Sequence, residues 1–173
     1  MDIQRLLKKN RIPYKQVDCS EDVFFSALPA NIIQYFECMG NTISLNKTDY
    51  GSAYTTLFSI DDVKVEQNLV CTENRLLVIG YGLNGDLLTM NLSNYKIGYV
   101  FHDDLWEENF DTFEEIYVEL PFGIEEFLNM AIENKNYPID GNMAEEFKEY
   151  FDENSETEVA KKIQTLIRCI AQG

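Results

Sequence analysis

Residues 76–104, LLVIGYGLNGDLLTMNLSNYKIGYVFHDD, constrain the fold of this chain more than any other stretch, because side-chain character alternates there with a period of two. Residues 76–79 are a short apolar run. Leu88, Met90 and Leu92 then alternate with Leu87, Thr89 and Asn91, and Ile97, Tyr99 and Phe101 alternate with Gly98, Val100 and His102. A period of two marks half-buried antiparallel strands. The first connection contains Asn84-Gly85, whose residues tolerate positive φ, and Ser93-Asn94-Tyr95-Lys96 supplies the second turn. The expectation is a β-meander of three consecutive strands within an α+β fold.

Gly80, Gly82 and Gly85 in the same stretch spell G-x-G-x-x-G after an apolar run, the spacing of a dinucleotide-binding turn. Such a site needs a helix to open after the third glycine, so that free N–H groups and the positive end of the helix dipole meet the pyrophosphate. A strand pattern follows instead, and Asp86 would set a carboxylate beside the phosphates with no lysine nearby. A glycine-rich kinase loop does lie between strands, but the chain has no H-R-D or D-F-G tripeptide. The glycines read as turn and strand residues.

Outside the meander, residues 2–10 read as a helix with Ile3, Leu6 and Leu7 on one face, followed by Pro13. Pro29 suits the first turn of a second helix carrying Ile32, Ile33 and Phe36. Residues 42–45, 54–60 and 115–120 read as strands. Residues 122–134 read as a helix with Ile124, Phe127, Leu128 and Ala131 inward, and residues 143–151 as another. A last helix is expected over residues 156–171, where Ser155 and Glu158 make a capping-box pattern ahead of Val159, Ile163, Leu166, Ile167 and Ile170.

The meander also carries a family resemblance. Ile79-Gly80, a loop, Gly85-Asp86 and a hydrophobic strand ending in His102-Asp103 resemble the core of the SUKH superfamily. Upstream, Leu28-Pro29-Ala30-Asn31-Ile32-Ile33-Gln34-Tyr35-Phe36 is similar to that family's early Leu-Pro helix, with Met39-Gly40-Asn41 as the following turn. Downstream, Phe122-Gly123-Ile124-Glu125-Glu126-Phe127-Leu128 is similar to its closing helix. Gly40-Asn41 stands where the family has an Asn-Gly-Gly type turn, and the acidic helical region of about residues 137–173 has no family counterpart. The resemblance covers about residues 20–132. It implies a single α+β domain: a twisted antiparallel sheet with helices packed against it, here with a helical C-terminus. It also implies a protein-binding scaffold. Many bacterial members resemble immunity proteins that neutralise a polymorphic toxin, often a nuclease, while a yeast relative regulates cell-wall assembly.

Length and composition are consistent with that picture. At 173 residues, 45% of them apolar and 13% aromatic, the chain can bury one substantial core, and no linker or repeat divides it. No apolar run approaches the roughly 20 residues that span a bilayer. Residues 1–9 lack the apolar stretch of about 7–15 residues of a signal peptide, so a cytoplasmic location is expected. Cys19, Cys38, Cys71 and Cys169 have neither C-x-x-C spacing nor histidine partners and read as reduced thiols.

Charge is concentrated. Residues 101–160 hold 19 acidic and two basic residues, and the other 113 residues hold 11 acidic and 12 basic, so the formal net charge of −16 lives in one third of the chain. Two readings are open. The acids form a solvated face, partly offset by Lys161, Lys162 and Arg168, or they steer a basic protein partner. Direct binding of nucleic acid or an anionic membrane is disfavoured, because both would be repelled.

Catalytic chemistry finds little to work with. The chain has a single histidine, His102, and His102-Asp103-Asp104 at a strand end would point in alternating directions rather than converge on a metal ion. No nucleophile elbow, H-E-x-x-H or P-loop is present. No catalytic residue, metal site or cofactor is therefore assigned, and a non-enzymatic role is expected. The one tryptophan, Trp106, sits in a loop between acids. Either Leu105, Trp106 and Phe110 fold back to cap the sheet, or Trp106 is an interface anchor. On the second reading Asp103, Asp104, Trp106, Glu107, Glu108 and Asp111 are the candidate partner-binding residues. The functional expectation is an immunity protein that occludes a basic, nuclease-type toxin stoichiometrically; the alternative is a cytoplasmic regulatory scaffold with an unrelated partner.

Overall fold

The computed structural model describes residues 3–19, 22–47, 53–134 and 137–153. Six strands form one antiparallel sheet in strict chain order: β1 (Ile43–Lys47), β2 (Ala53–Leu57), β3 (Leu76–Gly82), β4 (Leu87–Asn91), β5 (Lys96–Val100) and β6 (Tyr117–Gly123). Among the described residues seven α-helices accompany it: α1 (Ile3–Lys9), α2 (Ala30–Glu37), α3 (Ile60–Val65), α4 (Leu69–Glu73), α5 (His102–Glu107), α6 (Ile124–Asn129) and α7 (Gly141–Glu153). This is an α+β fold, and the expected three-strand meander is the β3-β4-β5 centre of a larger one. None of the described helices is long and apolar enough to cross a membrane.

Cross-strand register sorts the sheet into two faces. Ile43, Leu57, Gly80, Leu88, Tyr99 and Val118 run across one face, and Ser44, Thr56, Tyr81, Leu87, Val100 and Tyr117 run across the other. The first row is buried throughout. In β6 the pattern is plain: Val118, Leu120 and Phe122 are buried while their neighbours are half-exposed, and α6 and α7 pack against this strand. Phe122 meets Phe147 of α7 edge-on at 5.7 Å, a favoured aromatic geometry. The Tyr99 hydroxyl crosses this layer to donate to the Pro138 carbonyl at 3.0 Å.

Several local expectations are corrected. The strand expected over 54–60 stops at Leu57, because Ser59 starts α3. Its hydroxyl accepts from the Asp62 N–H and the Asp62 carboxylate accepts from the Ser59 N–H, a reciprocal capping box. The strand expected over 115–120 is a 3-10 turn at Phe113–Glu115 followed by β6, which runs on through Pro121. β6 is an edge strand and its register shifts opposite Lys96 and Gly98, so a missing N–H is tolerated. The helix expected over 122–134 opens only at Ile124 and passes into a π-helical turn, Met130–Asn134. Residues 102–107, expected as a strand end at His102–Asp104 running into a loop at Trp106, are helical. The helix expected over 143–151 is α7, and the one expected over 156–171 lies outside the described residues.

The three glycines of the apparent dinucleotide motif each have a structural reason, close packing for two and backbone conformation for the third. A Cβ on Gly80 would stand 2.1 Å from the Thr56 carbonyl, and one on Gly82 would stand 2.3 Å from the Ile139 carbonyl. Gly85 takes φ +97° in the β3-β4 turn, a conformation costly for residues with a side chain. β4 follows directly, so no helix opens after the third glycine.

Candidate functional site

The β3-β4 turn positions what surrounds it through Asp86, whose residue is only 2% exposed. One carboxylate oxygen accepts from the His102 backbone N–H at 3.0 Å and lies 3.2 Å from His102 Nδ1. The other accepts from the Gly141 N–H at 2.8 Å. His102 and Gly141 are the first residues of α5 and α7, so one buried carboxylate caps two helices from a distant part of the chain. Helix N-termini offer unsatisfied N–H groups and a positive dipole end, which offset the cost of burying this charge. Phe101, at the cap position of α5, provides no side-chain bond itself.

His102 is held from both sides, since its Nε2 lies 3.0 Å from an Asp103 carboxylate oxygen. Its ring therefore orients the start of α5. Among the described residues no group of three or more His, Cys, Asp and Glu side chains is placed to hold a metal ion.

Within α5, Leu105 is buried (4% exposed) and Trp106 is 70% exposed. The two readings of this segment thus divide by residue: Leu105 packs into the core and Phe110 packs partly against it, while Trp106 does not fold back. The acids Asp103 and Asp104 occupy the first turn of α5 and complement its dipole. Asp103, Glu107, Glu108 and Asp111 are exposed and Asp104 is half-buried. Glu108 ends the helix in the left-handed conformation (φ 52°, ψ 37°).

Trp106 forms one wall of a groove of about 520 Å³ on the second face of the sheet. Thr56, Tyr81 and Leu87 make its floor, adjacent across three strands by register. Phe58 adjoins them, its ring 5.6 Å from that of Tyr81 in an edge-to-face contact. Asp62 of α3 and Glu66, which caps that helix's C-terminus, form the opposite wall. The Asp62 carboxylate accepts from the Ser59 hydroxyl at 2.6 Å and from the Thr42 hydroxyl at 2.8 Å, and these donors hold its carboxyl below the ordinary 3.8. Of the six residues expected to bind a partner, only Trp106 lines this groove; the other five lie on α5 and the segment after it.

Farther along the same face, Glu119 organises the β4-β5 turn. It accepts from Asn91 Nδ2 at 2.7 Å and Asn94 Nδ2 at 3.0 Å, with the Lys96 ammonium at 3.4 Å. Burial opposes its ionisation, but the Asn94 and Asn91 donors and Lys96 together outweigh burial and hold its carboxyl below the ordinary 4.5. These groups satisfy one another and leave little for a ligand.

Sequence reasoning missed Phe58, Asp62, Glu66 and Tyr81 as site residues. The signal for α3 was present as Ser59-x-x-Asp62, a capping-box pattern ahead of Val63. Nothing local marked Tyr81, because its exposure follows from the open face of the assembled sheet.

Fold and groove together define an open-sheet α+β domain with a recess that is aromatic at its base and acidic along its rim. Compared with protein families, with curated proteins and with solved structures, the chain gives no match in any of the three.

Proposed function

We propose that this chain is a non-catalytic protein-binding domain of the SUKH immunity type, which neutralises a basic toxin by stoichiometric occlusion in the cytoplasm. The observation that carries this reading is Trp106, 70% exposed on a helix whose other outward side chains include Asp103 and Glu107. Interfaces concentrate their energy in a few large aromatic anchors surrounded by groups that exclude water. A field of carboxylates around such an anchor speeds encounter with a basic surface and rejects acidic ones. A nuclease fits this chemistry best, because its active site is built to receive phosphates and a carboxylate-rich surface competes for the same cations. Asp103, Asp104, Glu107, Glu108 and Asp111 supply that charge around Trp106.

The test is capture from native-cell lysate at low and moderate salt, followed by reconstitution with the purified partner. The reading expects one basic protein in a 1:1 complex that weakens as ionic strength rises from about 0.05 to 0.5 M, with its toxic activity lost at equimolar inhibitor. Replacing Trp106 with alanine and the neighbouring acids with serine should abolish the complex and leave the fold intact. A salt-insensitive assembly with an unrelated partner would replace this reading with a regulatory scaffold.

A further inference from the structure

We propose that the groove between α3 and α5 seats an arginine side chain of the basic partner, an inference that rests on the binding role above and assigns its specificity. The chemistry of the walls selects a cation. Asp62 and Glu66 stand on one side and Trp106 on the other, and among the described residues no lysine, arginine or histidine lines the recess. Lys64, the lysine of α3, does not neutralise it: its ammonium is engaged by Asp22 and lies 5.7 Å from the Phe25 ring centroid.

The floor then distinguishes one cation from another. Tyr81 is 41% exposed and braced edge-to-face by Phe58, so an aromatic ring is fixed in the open recess. Trp106 adds a second exposed ring. A guanidinium is planar and weakly hydrated, so it can stack on an aromatic ring while its N–H fork meets a carboxylate; an ammonium is a strongly hydrated point charge that gives up more solvation to enter. Burying exposed aromatic surface under the aliphatic stem of arginine adds a contribution that both wet walls lack when the groove is empty. The volume, about 520 Å³, falls within the roughly 300–1,000 Å³ of pockets that enclose small ligands.

Trp106 is the chain's one tryptophan, so its fluorescence reports from the groove wall without labelling. The probes are blocked peptides of alternating glycine with arginine, lysine or citrulline, titrated into the full chain. The arginine peptide should bind about three- to fivefold more tightly than the lysine peptide of equal charge, and the citrulline peptide should not bind, the fold-change following from one exposed cation–π contact. Tyr81→Ala should remove the preference for arginine, and Glu66→Gln, a change at the exposed residue just after α3, should weaken the arginine peptide with no effect on folding. Equal affinity for the two cationic peptides, or a preference that survives both substitutions, overturns the proposal. The two readings fail separately. A partner complex that keeps its full affinity in Tyr81→Ala removes the groove and leaves the binding role. Arginine preference without any basic partner in the cell removes the toxin-binding role and leaves the groove.

Discussion

Replacing Asp86 with alanine tests whether one carboxylate holds two helices. In the native chain its oxygens accept from the His102 N–H at 3.0 Å and the Gly141 N–H at 2.8 Å, within a residue that is 2% exposed. Alanine leaves both donors without a partner, at about 1–3 kcal/mol each. It also removes a negative charge from two helix N-termini, where each dipole interaction contributes about 0.3–1 kcal/mol. The cost of burying the carboxylate disappears with it, which offsets part of the loss. The net expectation is a destabilisation of about 4 kcal/mol, and at about 2–4 °C per kcal/mol for a chain of this size the melting temperature should fall by about 8–16 °C. Asp86→Asn keeps one acceptor oxygen but turns an amide donor toward the donor on the other side, so it should lie between wild type and alanine. Urea denaturation gives the free energy, and hydrogen exchange gives its location: amides at the starts of both α5 and α7 should lose protection together. A loss below about 1 kcal/mol, or exchange that rises in only one of the helices, would refute the shared-cap argument.

Three further outcomes follow from the same geometry. Trp106→Ala should change stability by no more than about 0.5 kcal/mol, while Leu105→Ala, one residue away and buried, should cost about 2–5 kcal/mol in urea denaturation. Asp62 has its carboxyl held below the ordinary 3.8 by the Ser59 and Thr42 donors, so its contribution to stability is present above that pH and is lost as pH falls below it; the gap between wild type and Asp62→Asn in urea midpoint should be full at pH 7 and narrow progressively as pH falls below 3.8. Burial pushes the Cys71 thiol from 9.0 up to about 11, so at pH 8 it carries about a hundredfold less thiolate than an ordinary cysteine, and peptide mapping after iodoacetamide should find Cys71 unmodified in native protein and modified in urea.

The central meander was legible because its information is local. Alternation over Leu87–Asn91 and the positive φ demanded at Gly85 sit within a few residues of each other, and β3, β4 and β5 follow them. The helix Gly141–Glu153 was legible for the same reason, since three turns of helical spacing accumulate signal. Helices α3 and α4 are only six and five residues long, too short for periodicity to stand out, and only their caps at Ser59 and Asn68 marked them. α5 was the least legible element that matters. Its first N–H is satisfied by Asp86, 16 residues upstream, and no inspection of residues 101–108 could show that partner. The groove was invisible for a related reason: its acidic wall comes from Asp62 and Glu66, in the charge-balanced part of the chain, while sequence reasoning placed the site wholly within the acidic third.

The exposure of Trp106 follows from the helix itself. Consecutive residues on a helix with about 3.6 residues per turn project about 100° apart, so burying Leu105 in the core turns Trp106 away from it. Had residues 102–107 been a loop, both side chains could have collapsed onto the sheet. The helix is fixed at its start by Asp86 and along its inner side by Leu105, so the backbone that carries Trp106 is set before any partner arrives. An anchor on a fixed backbone gives up less conformational freedom on binding than one on a loop that must order. The cost of holding a large aromatic in water is thus borne in the free protein, and covering Trp106 in the proposed complex would recover it. That difference favours a partner able to reach both Trp106 and the groove floor at once, over one that touches only the charged rim.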